Sequence, residues 1–170
     1  MRLRELRTDD APLMLEWMHD KLVTCFLRTD FASKSLDDCI DFISNAVNDE
    51  NINLAVVDEN DEYMGTVSLK NIYHNSAELA ITMRSKAMGK GIASDAMKEI
   101  IRIAFEQENI KYVYWCVSPE NKRAVKFYEK NGYVRDDAAK KMIRGKYSEE
   151  EISRYIWYLK REEGVREWKK

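Results

Sequence analysis

The period of the apolar positions changes several times along the chain, and each change marks an element. Leu3 and Leu6 frame a short opening strand. Thr8-Asp9-Asp10 then reads as a helix start, with Thr8 as N-cap and acidic side chains in the first turn. Leu13, Met14, Trp17 and Met18 recur at helical spacing, so that helix buries one face. Residues 21–34 have no clean period, yet Leu22, Val23, Phe26, Leu27 and Phe31 are apolar for a loop; the expectation is a short helix that walls something in. Ser35-Leu36-Asp37-Asp38 has capping-box spacing, and Ile40, Ile43, Ala46 and Val47 carry a second helix.

Strand-like runs follow at 53–57, 63–73 and 78–83, separated by Asp58-Glu59-Asn60-Asp61 and Asn75-Ser76, which together read as an antiparallel meander. Gly91 to Glu108 carries the strongest helical stripe, from Ile92 and Ala93 through Ile100, Ile101 and Ala104 to Phe105. Lys111 to Val117 is β-branched and aromatic almost throughout, as a central strand should be. A short helix over 121–130 ends at Asn131-Gly132. Tyr133–Met142 and Ile152–Leu159 are expected to close the fold as a hairpin around Arg144-Gly145-Lys146. Helices and strands are intermixed without strict alternation, so the sheet should be mixed.

Composition narrows the classes. With 45% apolar and 34% charged residues, 2 Pro and 6 Gly, the 170 residues suit one globular domain over 1–170, its charged end (162–170) frayed. No stretch approaches the roughly 18 apolar residues of a membrane span. Cys25, Cys39 and Cys116 are odd in number and scattered, which suits reduced thiols and a cytoplasmic setting. The net charge of −2 gives no reason to expect nucleic-acid binding. It is unevenly spread, with 6 Lys/Arg against 15 Asp/Glu in residues 1–62 and the excess of positive charge beyond them. That division reads either as surface decoration or as a site with a polyanion on the later part and a cationic substrate near the earlier part.

Several chemistries are excluded by their residues. His19 and His74 are isolated, the cysteines are dispersed, and there is no Gly-x-Ser-x-Gly elbow, so neither a metal site nor a Ser-His-Asp triad is expected. Met88-Gly89-Lys90-Gly91-Ile92-Ala93 lies between a strand and the best helix. Two glycines there allow a sharp turn and close backbone approach, and the helix start offers unpaired N–H groups and a positive dipole end. Such a loop either cradles an anion, most naturally a pyrophosphate, or merely begins a helix. A nucleotide-hydrolysing P-loop fails because the Gly-Lys-Ser/Thr ending is missing, and position 94 is Ser where a dinucleotide loop has a third glycine.

About thirty residues later comes Asn121-Lys122-Arg123-Ala124-Val125-Lys126-Phe127-Tyr128-Glu129-Lys130-Asn131-Gly132-Tyr133. The two segments together resemble the GCN5-related N-acetyltransferases, the GNAT superfamily. That family's loop runs Gln/Arg-x-x-Gly-x-Gly/Ala, met here by Gly91 and Ala93 with Met88 in the first place. Its later motif runs Asn-x-x-Ala-x-x-x-Tyr-Glu-x-x-Gly-Phe, met by Asn121, Ala124, Tyr128, Glu129, Gly132 and Tyr133. Trp17, the acidic second helix and Arg144-Gly145-Lys146-Tyr147 look most like the branch of ribosomal-protein N-terminal and spermidine acetyltransferases.

The resemblance implies an α/β (α+β) fold, a mixed, mostly antiparallel twisted sheet of about seven strands flanked by about four helices, with a splayed central strand pair. It implies acetyl-CoA as co-substrate, no metal, and an acceptor that is a small amine such as a polyamine or amino sugar, with a protein N-terminus as the alternative. A monomer or a homodimer is expected. Backbone groups of Ile81, Thr82 and Met83 would pair with the pantetheine amides, and Met88, Gly89, Lys90, Gly91, Ile92 and Ala93 would hold the pyrophosphate. Asn121 would touch the pantetheine, and Lys126, with Lys86, Lys90, Lys122 and Arg123, would supply positive charge. Tyr128 corresponds to the tyrosine that protonates the leaving thiolate; the alternative is an aromatic packed on the sheet. Glu78 stands where several relatives place the base, the alternative being a strand-edge glutamate bonded to solvent. A non-catalytic acyl-CoA-binding module would keep the cradle and lose this chemistry.

Overall fold

The computed structural model describes residues 1–106 and 108–164. The expected frayed end therefore lies mostly outside the described residues. Six strands form one sheet in sequence order: β1 (Arg2–Glu5), β2 (Ile52–Val57), β3 (Tyr63–Tyr73), β4 (Ser76–Met83), β5 (Tyr112–Val117) and β6 (Ile156–Arg161). Every neighbouring pair is antiparallel except β4 and β5, which run parallel. The helices are α1 (Ala11–Met18), α2 (Lys21–Thr24), α3 (Leu36–Ser44), α4 (Ile92–Glu106), α5 (Lys122–Lys130) and α6 (Glu149–Arg154).

Local chemistry explains most boundaries. Ser35 caps α3 and Asp38 bonds back to the Ser35 amide, the reciprocal pair its spacing predicts. Thr8 does not cap the first helix: residues 8–10 form a 3-10 turn, and the Asp10 carboxylate takes the Arg7 amide at 2.8 Å. Asp10 is buried and doubly bonded by the Arg4 guanidinium, so this corner is an ion pair first and a cap second.

The expected seventh strand is absent among the described residues. Asp136 accepts the Ala138 amide and starts a 3-10 helix over Asp137–Met142, leaving a single bridge between Arg135 and Tyr158. The other arm is shortened too, because Ser148 and Glu151 form a capping box that starts α6. The closing hairpin thus becomes one strand with two short helical turns over its face.

On one face of the sheet α4 and α5 bury Met97, Ile100, Ala104 and Tyr128 against Val67, Leu79, Val113 and Trp115. Met14, Trp17 and Met18 of α1 pack with Cys39 and Tyr63 in a second cluster, where the Trp17 indole N–H donates to the Tyr63 hydroxyl at 2.9 Å. Gly65 fixes the spacing of β3 and β4: a Cβ there would lie 2.4 Å from the Thr82 carbonyl oxygen and 2.6 Å from Met83 Sδ. Gly65→Ala is therefore expected to destabilise the fold by about 1–3 kcal/mol, the usual range for overpacking. Chemical denaturation measures it, and an unchanged midpoint would show that the two strands can part without cost.

Candidate active site

Parallel pairing between β4 and β5 covers only Ser76, Ala77 and Glu78 opposite Tyr112, Val113 and Tyr114. Beyond Glu78 the strands diverge. Residues 79–83 keep their antiparallel partners on β3, while their other edge faces no strand. Trp115, Cys116 and Val117 are likewise paired only with β6. A cleft of about 690 Å³ opens between them, and Ile81, Thr82 and Met83 line it. This is the splayed pair that the resemblance implies, and its free edge can accept an extended ligand as an added strand.

At one end of the cleft lies the glycine loop. Gly89 and Gly91 both have φ of +75°, and a Cβ at either would meet open space, so the glycines serve backbone conformation and access. The amides of residues 89–94 have no acceptor among the described residues; the first bond of α4 is from the Asp95 amide to the Gly91 carbonyl. Six successive free donors at a helix start suit an anion of pyrophosphate size. Met88, Gly89, Gly91 and Ala93 line the cleft. Lys90 is an exposed turn residue outside the lining, and the Ile92 side chain packs on the core, so only its amide faces outward chemistry. Ser94 donates to Asn131 at 2.6 Å and ties the start of α4 to the end of α5.

The lysines divide as well. Lys126 is exposed on α5 and does not line the cleft, and Lys86 is held by Glu62 at 2.8 Å. Arg123 does line it, with its guanidinium against Met88 Sδ and the Leu22 carbonyl. Asn121 lines it too, but its side-chain oxygen caps α5 by accepting the Ala124 amide at 3.2 Å. Its side-chain NH₂ is the group left over for a ligand.

Tyr128 comes from α5 and packs beside Trp115 and Tyr158, with ring centroids 5.6 and 5.1 Å away. Trp115 and Tyr158 are directly cross-strand and stacked. The Tyr128 hydroxyl has no hydrogen-bond partner among the described residues, although the residue lines the cleft and is only 8% exposed. Burial pushes its phenol up from the ordinary value, and Cys116, Tyr158 and Tyr133 act in the same direction, so the proton is retained at neutral pH.

Glu78 sits where the two strands part, 3% exposed and lining the cleft. It is not a solvated edge residue. Its carboxylate accepts the Asn71 side-chain NH₂ at 3.0 Å and the Tyr147 hydroxyl, and the Cys116 thiol donates to that hydroxyl at 3.6 Å. Sequence reasoning missed both partners. Asn71 reaches Glu78 from an irregularity between Lys70 and Tyr73 with φ of +50°, a conformation asparagine tolerates. Tyr147 arrives from the segment before α6, and Gly145 lets that segment close down: a Cβ there would be 3.2 Å from Asn71 Nδ2 and 3.3 Å from a Glu78 oxygen. Burial pushes the Tyr147 hydroxyl well up, and the Cys116 thiol up to about 11, so both remain protonated donors. Arg28 lies 3.9 Å over the Tyr147 ring and pairs with Glu151, linking residues 21–34 to the α6 segment above Glu78.

The wall expected from residues 21–34 is present, but it is not acidic. Val23, Phe26, Leu27, Arg28, Thr29 and Phe31 line the cleft, while Asp20, Asp30, Asp37, Asp38 and Asp41 do not. Among the described residues no three His, Cys, Asp or Glu side chains gather as metal ligands, and no helix is long and apolar enough to cross a membrane.

Comparison with known proteins agrees with this geometry. The N-acetyltransferase p20 of Bacillus licheniformis, itself uncharacterised, is 28% identical over 147 residues, covering 80% of this chain and 83% of its own. The spermidine N(1)-acetyltransferase of Escherichia coli (strain K12) is 30% identical over 95 residues, 55% of this chain and 51% of its own. The crystal structure of Vibrio cholerae spermidine N-acetyltransferase in complex with CoA and spermine superposes with a TM-score of 0.76 at 21% identity, covering 94% of each chain. Residues 1–134 match the acetyltransferase (GNAT) domain. That match includes the splayed strands, the glycine loop and the whole of the later motif; the chain belongs to the GNAT family and is an acetyl-CoA-dependent N-acetyltransferase.

Proposed function

We propose that the chain moves an acetyl group from acetyl-CoA to a small primary amine by direct attack, with Glu78 and Tyr128 handling the protons. The observation that carries this is the convergence on one cleft of a free strand edge, a run of unpaired amides, a buried carboxylate and an unpartnered phenol. Acetyl-CoA supplies an activated thioester. Ile81, Thr82 and Met83 pair with the pantetheine along the open edge of β4, the 89–93 backbone holds the pyrophosphate, and the Asn121 side-chain NH₂ meets the pantetheine. As the amine nitrogen bonds to the carbonyl carbon and the carbon–sulfur bond breaks, Glu78 takes the proton the nitrogen loses. Tyr128 gives its proton to the departing sulfur and recovers one from solvent. Asn71 and Tyr147 hold the Glu78 carboxylate in place, and positioning supplies much of the rate.

The bridge from Arg28 to Glu151 over Tyr147 roofs the cleft beside Glu78 and supports a small acceptor over a protein N-terminus. The spermine in the Vibrio structure supports the same size class. The test is Glu78→Gln, which keeps the shape and one of the two acceptor oxygens but removes the base. Turnover should fall by about a hundredfold, the lower end of general acid–base contributions, because water can also take that proton. Affinity for acetyl-CoA should stay near that of the parent. Steady-state kinetics at saturating acetyl-CoA decides, and a variant with near-parental turnover would leave Glu78 a structural residue.

A further inference from the structure

The charges around the acceptor end of the cleft have the wrong sign for a polycation. Of the charged residues that line it, Arg28, Lys70, Arg123 and Lys130 are cationic and Glu78 alone is acidic. Arg123 and Lys130 belong to α5 beside the glycine loop, whereas Arg28 and Lys70 flank Glu78. Lys70 stands directly across from Glu78 in the β3–β4 register, which puts the two side chains on one face. Yet the Glu78 carboxylate is taken up by Asn71 and Tyr147, and Lys70 has no ion pair among the described residues. A half-buried lysine beside a carboxylate that bonds elsewhere is a cation kept for something else. Arg144 stands outside the lining near this end: its guanidinium stacks 3.4 Å from the centre of the Tyr73 ring, with no carboxylate partner among the described residues. Its neighbour Gly145 packs against Asn71 and Glu78. Arg28 spends its charge on Glu151, which leaves Lys70 and Arg144 as the uncompensated pair.

We infer that the amine acceptor carries an anionic group, a phosphate or a carboxylate, which Lys70 binds and Arg144 attracts while the amino group lies at Glu78. A polyamine would bring two or three positive charges to this rim and meet one carboxylate already holding two hydrogen bonds. An amine with its own anion satisfies both signs, and like-charge juxtaposition rejects the polyamine. The inference rests on the acetyltransferase reading of the cleft.

The test compares matched amines with CoA thiol release as readout: glucosamine against glucosamine 6-phosphate, 3-aminopropanol against β-alanine, and spermidine. The anionic member of at least one pair should exceed its neutral partner and spermidine by about tenfold or more in kcat/KM, as a charge-assisted contact would give; which pair responds separates phosphate from carboxylate. Lys70→Gln should bring that ratio close to one. Equal or better turnover of the neutral amines or spermidine would overturn the inference. Should none of the five be turned over, inorganic phosphate titrated into the CoA-saturated protein decides. Binding that Lys70→Gln weakens by about fivefold or more supports the anion subsite, and no binding, or binding that Lys70→Gln leaves unchanged, overturns it. Because the glycine loop is filled by CoA in that experiment, phosphate cannot report on the pyrophosphate cradle. Failure of CoA itself to bind would instead remove the acetyltransferase reading, and this inference with it.

Discussion

Tyr128→Phe is expected to lower the turnover of acetyl transfer by about 10²–10⁴-fold while leaving acetyl-CoA affinity nearly unchanged. The hydroxyl contacts a sulfur that becomes charged only as the bond breaks, so its loss belongs to the transition state. Stability should change little, because the ring and its packing on Trp115 and Tyr158 remain and the hydroxyl gives up no hydrogen bond with the described residues. A merely packed tyrosine would show the opposite pattern, with normal turnover and a lowered melting temperature. The direction of its pKa adds a pH readout. A phenol held above its ordinary value of about 10 stays protonated through neutral and mildly alkaline pH, so no alkaline loss of turnover from Tyr128 should appear below about pH 10. A variant that keeps more than about half of the parent turnover would remove Tyr128 from the mechanism.

Gly91→Glu should weaken acetyl-CoA binding by at least about a thousandfold, since one carboxylate within about 4 Å of a phosphate charge costs about 4 kcal/mol in a protein-surface dielectric. The glycine adopts a φ of +75° with open space where a Cβ would stand, so the side chain has room and the fold bears only backbone strain. Gly91→Ala carries that strain without the charge and is the control. Calorimetric titration with acetyl-CoA should show a modest loss for alanine and near-complete loss for glutamate. Equal affinities in the two variants would mean that the phosphates sit away from this loop.

Local pattern revealed whatever depends on local forces. The meander over 52–83, the stripe of α4 and the end of α5 at Asn131-Gly132 each follow from residues within a few positions of one another. The divergence of β4 from β5 was legible only through the resemblance, because nothing in either strand says where their pairing should stop. The setting of Glu78 was hidden for a related reason. Asn71 depends on a left-handed bulge, and Tyr147 lies 69 residues away on a segment whose helical turns mimic strand composition. Gly65 likewise looks like an ordinary glycine in a strand until its neighbours are in place.

Pairing tells the two readings of the charge division apart residue by residue. Asp10 and Asp61 answer Arg4, Glu16 and Glu62 answer Arg84, and Asp38 closes a helix cap. Several of the acids of residues 1–62 are thus spent on folding the first half of the chain and on docking it to the loop after β4. A count of charges along the sequence reports their number, whereas the cleft is shaped by which of them are left without a partner.

The gap between β4 and β5 also bears on how this protein survives in a cell. A sheet interrupted at its centre has two interior borders whose main-chain groups are unsatisfied by any neighbouring strand, and such borders invite pairing with foreign chains. A pantetheine arm laid along one border would heal the interruption from within and make the co-substrate a part of the fold. Stability would then rise with its concentration, by about 2.7 kcal/mol when it exceeds the dissociation constant a hundredfold. The amount of intact enzyme would follow the cell's supply of acyl donor, so scarcity would reduce acetylation twice, through slower turnover and through loss of the catalyst itself.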